Sequence, residues 1–248
     1  MSEALEQRLA RLEGELEELR TRIGVTEDIE AIKKLQHSYG YYFERGMNRE
    51  VADLFSEAEN AAIHFRGIGG FLGANAKKSW DKHLPGMDGP TYLHLLALTS
   101  GIIDVAPDGK TAKGRWYGWG LVAHPADVAT PDAINHFGFG AVYENRYVKE
   151  GGVWKIQVLD LALLVKFKNP GYVDPERYDI VYVDPTADAQ SRDEFAKMFD
   201  FRDQTPTIYP SAFTLPFHFR HPVTGKQTSD VARNAAAGFT ETAPIPES

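Results

Sequence analysis

Residues 92–120 read YLHLLALTSGIIDVAPDGKTAKGRWYGWG, and this stretch predicts two long β-strands joined by a tight turn. Asp108 and Gly109 provide the turn, because glycine takes the positive φ that a short hairpin loop requires. His94 is surrounded in the first strand by leucine and tyrosine. It is therefore either a core histidine hydrogen-bonded to the backbone or a proton-transfer group that faces a pocket.

Composition excludes several classes of protein. The 248 residues include no cysteine, which rules out disulfides, thiolate nucleophiles and Cys-ligated metal clusters. The formal net charge is −8 and no basic run is present, so a nucleic-acid partner is not expected. No apolar run reaches the roughly 18 residues of a membrane helix, and the charged N-terminus is unlike a secretory signal. We expect a cytoplasmic protein without a membrane partner.

Metal binding is not expected either. The eight histidines are scattered along the chain. His218 and His221 are close in sequence, but they lack carboxylate partners and the spacing of a zinc motif. We therefore expect chemistry without a metal or cofactor, in which proton transfer and oriented electrostatics are the available catalysts.

The N-terminal segment, residues 1–25, has the pattern of a coiled coil. Successive apolar residues are separated by four and then three residues in turn, as at the a and d positions of a heptad, and charged residues occupy the e and g positions beside them. Because such a seam cannot bury itself, we expect a homo-oligomer, either a dimer or a trimer; the alternative is a helix lying on its own domain. The apolar positions are Leu5, Leu9, Leu12, Leu16, Leu19 and Ile23, and the flanking positions are Glu6, Arg8, Glu13, Glu15, Arg20 and Arg22.

Residues 26–168 predict an α+β domain in which a curved antiparallel sheet wraps around helices. A second helix is predicted to start at Thr26, which is a good N-cap residue. The predicted helices span 28–45, 49–55 and 74–84. A short strand is predicted at 61–66, and the strands after the first hairpin are predicted at 134–149 and 153–167. Residues 121–133 are predicted to form a loop.

Residues 169–248 form a long C-terminal extension. We expect a short strand at 178–183 and a short helix at 192–199. The aromatic content of the extension predicts that it packs over the pocket mouth or over a neighbouring subunit. Residues 226–248 are polar and rich in alanine, and we expect them to be mobile or draped on a partner.

The segment YGYYFERGMNREVADLF, residues 39–55, resembles the opening helices of SnoaL-like proteins in the nuclear transport factor 2 superfamily. Tyr39, Glu44 and Phe55 keep the typical spacing, although Glu44 stands where an aspartate is usual. The resemblance extends over about residues 27–168 and implies a cone: a curved sheet closed by helices around a pocket. Further landmarks are Phe71-Leu72-Gly73, His94 and the GGVWKI segment at 151–156.

The same resemblance implies candidate functions. In scytalone dehydratase, a member of this superfamily, a catalytic histidine lies on the strand that carries His94 here, whereas its second histidine falls near Trp116. The N-terminal heptad segment and the long aromatic C-terminal extension resemble those of the sphingomonad diarylpropane lyases. These are cofactor-free members that remove formaldehyde from lignin-derived diarylpropane diols to give stilbenes. This implies a lyase on a small aromatic substrate. The alternatives are a dehydratase or isomerase of another aromatic or polycyclic substrate, and a non-catalytic binding module.

The candidate site residues follow from the chemistry of their side chains and from the family resemblance. His94 can act as acid or base at neutral pH, and tyrosine or arginine side chains can hold a phenol oxygen. The sequence leaves open whether Arg66 and Asp160 point into the pocket or to solvent. It also leaves open the strand register, which decides which tryptophans face the pocket. The predicted catalytic residues are His94, Tyr39, Tyr42, Arg66 and Glu44; the predicted substrate-binding residues are His64, Trp116, Trp119, Phe139, Tyr143 and Asp160.

Overall fold

A curved, unclosed seven-stranded sheet packs against one long helix in the computed structural model of this protein. The structure describes residues 3–80, 93–127, 130–168, 197, 199–208 and 211–239. The predicted α+β class, with a curved sheet around a helix, is confirmed. No helix in these ranges is both long and apolar enough to cross a membrane.

The helices are α1 (Glu3–Glu44), α2 (Asn48–Asp53), α3 (Ala74–Lys78) and α4 (Asp230–Ala236). The strands are β1 (Ala62–Arg66), β2 (Gly69–Leu72), β3 (Leu93–Val105), β4 (Thr111–Asp127), β5 (Thr130–Glu150), β6 (Val153–Lys168) and β7 (Phe201–Arg202). They are ordered β3-β4-β5-β6-β1-β2-β7, and all neighbours are antiparallel except β1 and β6.

The hairpin predicted around Asp108 and Gly109 is formed by β3 and β4. Gly109 has a φ of 64°, and the Asp108 carboxylate accepts a hydrogen bond from the Lys110 amide. The pairing shifts between Thr99 and Ile102, where Ser100 has a φ of 55°. This bulge changes the alternation along β3, so that residues on either side of it keep their apolar side chains on the core face.

The prediction of a separate helix beginning at Thr26 is wrong, because α1 runs without a break from Glu3 to Glu44. The Thr26 hydroxyl donates to the Arg22 carbonyl, four residues earlier, and so acts within the helix instead of capping it. The heptad segment and the first helix of the domain are therefore one rod. At its C-terminal half, Gly40 lets α1 approach β3 closely, since an added Cβ would lie 3.2 Å from the Leu96 carbonyl oxygen.

The predicted loop at 121–133 is also wrong in most of its length. β4 continues to Asp127 and β5 begins at Thr130, and the two pair up to their tip. Proline has no N–H to donate to a second neighbouring strand, so it suits an edge position. Pro125 meets this condition because the pairing of β4 with β3 ends at Ala123, and β5 is the described strand that still pairs with β4 there.

The extension first adds β7 to the edge of the sheet, and the segment around Leu215 then lies on the face of the sheet opposite α1. Leu215 packs with Val142 and Ala162 in a small apolar cluster there. Residues 230–236 form α4, whose Asp230 and Asn234 side chains accept hydrogen bonds from the Phe217 and Thr214 amides. The strand predicted at 178–183 lies outside the described residues, as does the helix predicted at 192–199 apart from two of its positions.

Candidate active site

A cavity of about 160 Å³ lies between α1 and the inner face of the sheet. Its wall is almost entirely apolar and rich in aromatic rings, and His94 is the one histidine among the described residues that line it. The lining residues are Tyr39 and Phe43 from α1, Phe65, Arg66 and Ile68 from β1 and the turn after it, and His94, Leu96, Val122, Phe137, Phe139, Tyr143, Leu161 and Leu163 from β3 to β6.

His94 is placed in this wall by the register of the first hairpin. It pairs with Val122, and both side chains reach the cavity. The imidazole is 8% exposed, and its ring centroid lies 4.5 Å from that of Phe43 and 6.0 Å from that of Phe139, with both contacts edge-on. Burial among these groups lowers the pKa of His94 from 6.5 to about 4. The imidazole is therefore neutral at pH 7.

This depressed pKa predicts a measurable dependence of stability on pH. Between about pH 6.5 and 4 the histidine binds a proton in the unfolded chain but not in the folded one, so stability falls as the pH falls. Over that interval the wild type should lose roughly 3 kcal/mol more unfolding free energy than a His94→Phe variant. Urea unfolding of both proteins at several pH values measures the difference. Parallel curves would show that His94 titrates normally.

Tyr39 and Tyr143 form a hydrogen-bonded pair of phenols in the cavity wall. Both rings are buried, with centroids 6.5 Å apart, and each hydroxyl is bonded to the other. Burial raises the pKa of each, so both stay protonated at neutral pH. A mutual bond between two hydroxyls uses one of their two hydrogens. The second hydrogen can be donated to an oxygen of a ligand.

Two glycines of β4 make room for the aromatic wall. A Cβ at Gly118 would lie 2.7 Å from the Tyr143 ring, and one at Gly120 would lie 2.5 Å from the Phe139 ring. Each ring therefore lies over a glycine of the neighbouring strand. The glycines of GRWYGWG are therefore the sequence signal for this arrangement. They leave space on the inner face of β4 for the rings of Phe139 and Tyr143 from β5.

Glu44 and Tyr42 lie next to the cavity but outside its lining. The Glu44 carboxylate accepts a hydrogen bond of 2.6 Å from the Leu96 amide. This bond ties the end of α1 to the edge strand β3, two residues from His94. Tyr42 is half-buried and packs against the core cluster. Glu44 thus positions the strand of His94, and neither side chain reaches the cavity in this arrangement.

The two tryptophans of β4 point to opposite faces of the sheet. Trp116 is buried on the inner face, where its indole N–H donates to the Tyr147 hydroxyl at 2.9 Å. That hydroxyl donates in turn to Gln36 of α1, so the indole belongs to a polar network that fastens the helix, away from the cavity lining. Trp119 lies on the outer face and is 52% exposed. The structure therefore corrects the expectation that either tryptophan lines the pocket.

His64, Arg66 and Asp160 lie together on the outer face, buried beneath the C-terminal extension. The Arg66 guanidinium makes two bonds to the Asp160 carboxylate, of 2.8 and 2.7 Å. The second ring nitrogen of His64, Nε2, lies 2.7 Å from the Asp203 carboxylate of the extension. The sequence left an inward or a solvated arrangement open, and neither is observed. Although Arg66 contributes to the cavity rim, its charged group is committed to Asp160 on the other face.

No three His, Asp or Glu side chains within the described ranges come together so as to hold a metal ion. The candidate site consists instead of a neutral imidazole, a phenol pair and a wall of apolar rings. Such an arrangement can accept a proton at His94, donate a hydrogen bond from the tyrosine pair and bind an aromatic ring by burial.

The family model of the SnoaL-like domain matches residues 24–160, more than half of the chain. The chain belongs to the SnoaL-like domain family. The match starts within α1 and ends in β6, so it includes His94, the tyrosine pair and every described lining residue except Leu161 and Leu163, and the N-terminal half of α1 lies outside it. No curated protein sequence matches the chain.

Solved structures similar to this SnoaL-like protein cover about two thirds of it. One is a protein named as a scytalone dehydratase from Novosphingobium aromaticivorans DSM 12444, with 16% identity, 68% of this chain and 99% of that chain covered, and a TM-score of 0.49. Another is a type 2 hexachlorocyclohexane dehydrochlorinase, LinA, with 17% identity, 66% and 99% coverage and a TM-score of 0.49. A third is the type 3 LinA of Novosphingobium barchaimii LL02, with 16% identity, 66% and 99% coverage and a TM-score of 0.47.

Proposed function

We propose that this SnoaL-like protein is a cofactor-independent lyase that acts on a lignin-derived phenolic diarylpropane diol and eliminates formaldehyde to give a stilbene. The observation that carries the proposal is the neutral imidazole of His94, which faces an apolar cavity together with a buried pair of tyrosines. These groups provide a proton acceptor and a hydrogen-bond donor in a site whose wall is almost entirely apolar.

The wall of the cavity supports an aromatic substrate. The rings of Phe43, Phe137 and Phe139 surround a volume of about 160 Å³. A dry cavity of about 150 Å³ holds a benzene-sized ligand, so one aryl ring of the diol fills the space enclosed by the described residues. The other ring then lies toward the rim, where Ile68 is partly exposed.

The tyrosine pair supports the first chemical step. A hydrogen bond from the Tyr39–Tyr143 pair stabilises negative charge on the substrate phenol oxygen as it ionises. The electron pair of the phenolate moves through the ring and expels the benzylic hydroxyl group. The phenol proton and the departing hydroxide together form water, and the substrate becomes a quinone methide.

His94 supports the second step. Because the imidazole is neutral, it is in the form that accepts a proton, and it takes one from the terminal hydroxyl group. The carbon–carbon bond breaks, formaldehyde leaves, and the electron pair restores the aromatic ring as a phenolate. The imidazolium and the phenolate form together, so the apolar cavity gains no net charge. Transfer of the proton to the phenolate then regenerates neutral His94.

A dehydratase or isomerase acting on another aromatic or polycyclic substrate is the second candidate. The volume of the cavity favours such an enzyme where its substrate has a single ring, because about 160 Å³ fits one ring more comfortably than two. Such an enzyme would use the same His94 and tyrosine pair but would stop after loss of water or would move a proton between carbons.

Incubation with a phenolic diarylpropane diol tests the proposal. We expect the near-ultraviolet absorbance of a stilbene to appear with one equivalent of formaldehyde. The matched control is the same diol with its phenol converted to a methyl ether, which should not react because the first step requires an ionised phenol. A product that has lost water alone would favour the dehydratase, and recovery of unchanged diol that binds tightly would favour a binding module.

A further inference from the structure

We propose that the N-terminal half of α1 pairs with the same segment of a second copy of this chain in a parallel, in-register coiled coil. This goes beyond the proposed function, because none of the residues that line the cavity lies between Glu3 and Glu27. Three features of α1 support this pairing: the exposed seam, the charges beside it and the position of the domain on the opposite face.

The seam is an unpaired apolar stripe on a helix that projects from the domain. Each of its six side chains is between 48% and 56% exposed, and each lies on one side of α1. In heptad notation, Leu9, Leu16 and Ile23 take the a positions and Leu5, Leu12 and Leu19 take the d positions.

The flanking charges match those of a parallel pair. In that arrangement each g residue faces the e residue five positions later in the partner. Arg8 then faces Glu13 of the partner subunit, and Glu15 faces Arg20 of the partner subunit. The third pair, Arg22 with Glu27 of the partner subunit, is also of opposite charge. All three pairs attract, and each occurs twice in a two-stranded coil.

An antiparallel pair fits the seam but not the charges. The leucines would interlock with Leu12 opposite Leu16, but g would then face g and e would face e. Arg8 would face Arg22, and both Glu13 and Glu15 would face themselves. These contacts repel, and the attraction between Glu6 and Arg20 is the one that remains. Among arrangements that keep all six apolar side chains of the seam paired, the charge pattern therefore selects the parallel orientation.

The domain leaves room for the partner. At about 100° per residue, the buried side chains Ile32, Gln36 and Tyr39 lie about 180° from the seam around the axis of α1. The face that continues the seam, at Thr26, Glu30 and His37, is exposed. The sheet thus packs on the side of α1 that faces away from the second copy. The ion pairs of Glu15 with Arg11 and of Arg20 with Glu17 are exposed and weak, so they do not compete with pairing.

The absence of cysteine from the chain makes disulfide trapping a direct test. In full-length protein, Leu5→Cys and, separately, Leu19→Cys place one thiol at a d position far from the centre of the seam. The control is Gln7→Cys, at an f position on the outside of the coil. Paired thiols at millimolar effective concentration should oxidise to a covalent dimer roughly a hundredfold faster than the control at about 10 µM protein.

Three results would overturn the proposal. The first is oxidation of both Leu5→Cys and Leu19→Cys no faster than that of Gln7→Cys. The second is faster coupling of Leu5→Cys with Ile23→Cys, in an equimolar mixture, than of either variant with itself, which would show an antiparallel pair. The third is a sedimentation mass of one copy, 27.7 kDa, for the wild type at micromolar concentration.

Discussion

Turnover of a phenolic diarylpropane diol is expected to fall by about 10²- to 10⁴-fold when His94 is replaced by phenylalanine, the range typical of a lost general acid or base. In the proposed reaction the imidazole accepts the terminal hydroxyl proton in the step that breaks the carbon–carbon bond, and no other histidine among the described residues lines the cavity. Phenylalanine suits the site, because the neighbouring rings belong to Phe43 and Phe139. Folding should therefore survive, and the appearance of stilbene absorbance measures kcat.

His37→Phe is the matched control for this experiment. His37 is exposed on α1, where its ring contacts that of Trp116 and does not reach the cavity. That variant loses a histidine without losing the proposed base, so its kcat should stay within about twofold of the wild type. Wild-type turnover by the His94→Phe protein would contradict the role of His94 in both the lyase and the dehydratase hypotheses.

The largest expected effect on stability comes from the buried ion pair on the outer face. Asp160→Ala should lower the free energy of unfolding by about 3–5 kcal/mol, the usual cost of leaving one buried charge without its partner. Arg66 loses two hydrogen bonds in this variant, and His64 loses a carboxylate at 3.7 Å. Urea unfolding near pH 7 measures the loss.

The double variant Arg66→Met/Asp160→Leu separates the cost of an orphaned charge from that of a damaged core. Apolar residues of similar volume can replace a buried ion pair with little loss of stability, so the double variant should be more stable than Asp160→Ala alone. A loss below about 1 kcal/mol in the single variant would mean that water reaches the pair, as it does at exposed ion pairs.

The sequence predicted the parts of the fold that rest on local chemistry. The hairpin about Asp108 and Gly109 follows from its turn residues, and Phe139 and Tyr143, which were predicted to bind substrate, line the cavity. The start of a helix at Thr26 was wrong, because a good N-cap residue can also lie inside a helix, where its hydroxyl bonds to the preceding turn. Local preference alone cannot choose between these two uses.

The outer-face cluster could not be predicted for a different reason. Strand alternation places His64 and Arg66 on one face, but it cannot tell which face is inner. The sequence also offered two environments, pocket or solvent, whereas the extension creates a third by covering the outer face. Asp203, which holds His64, lies 139 residues further along the chain. Contacts over such separations depend on the path of the chain and leave no periodic signal.

The unbroken course of α1 imposes a rule on insertions and deletions. The seam and the cavity-lining Tyr39 belong to one rigid helix, so their relative direction is set by the number of residues between Ile23 and Ile32. Adding one residue in that interval turns the whole domain by about 100° about the axis of α1, toward the side that a second helix would occupy. Adding seven residues returns the domain to within about 20° of its starting direction. If α1 pairs as proposed, chain length in this interval should change only in steps of about two helical turns, although no residue in it lines the cavity.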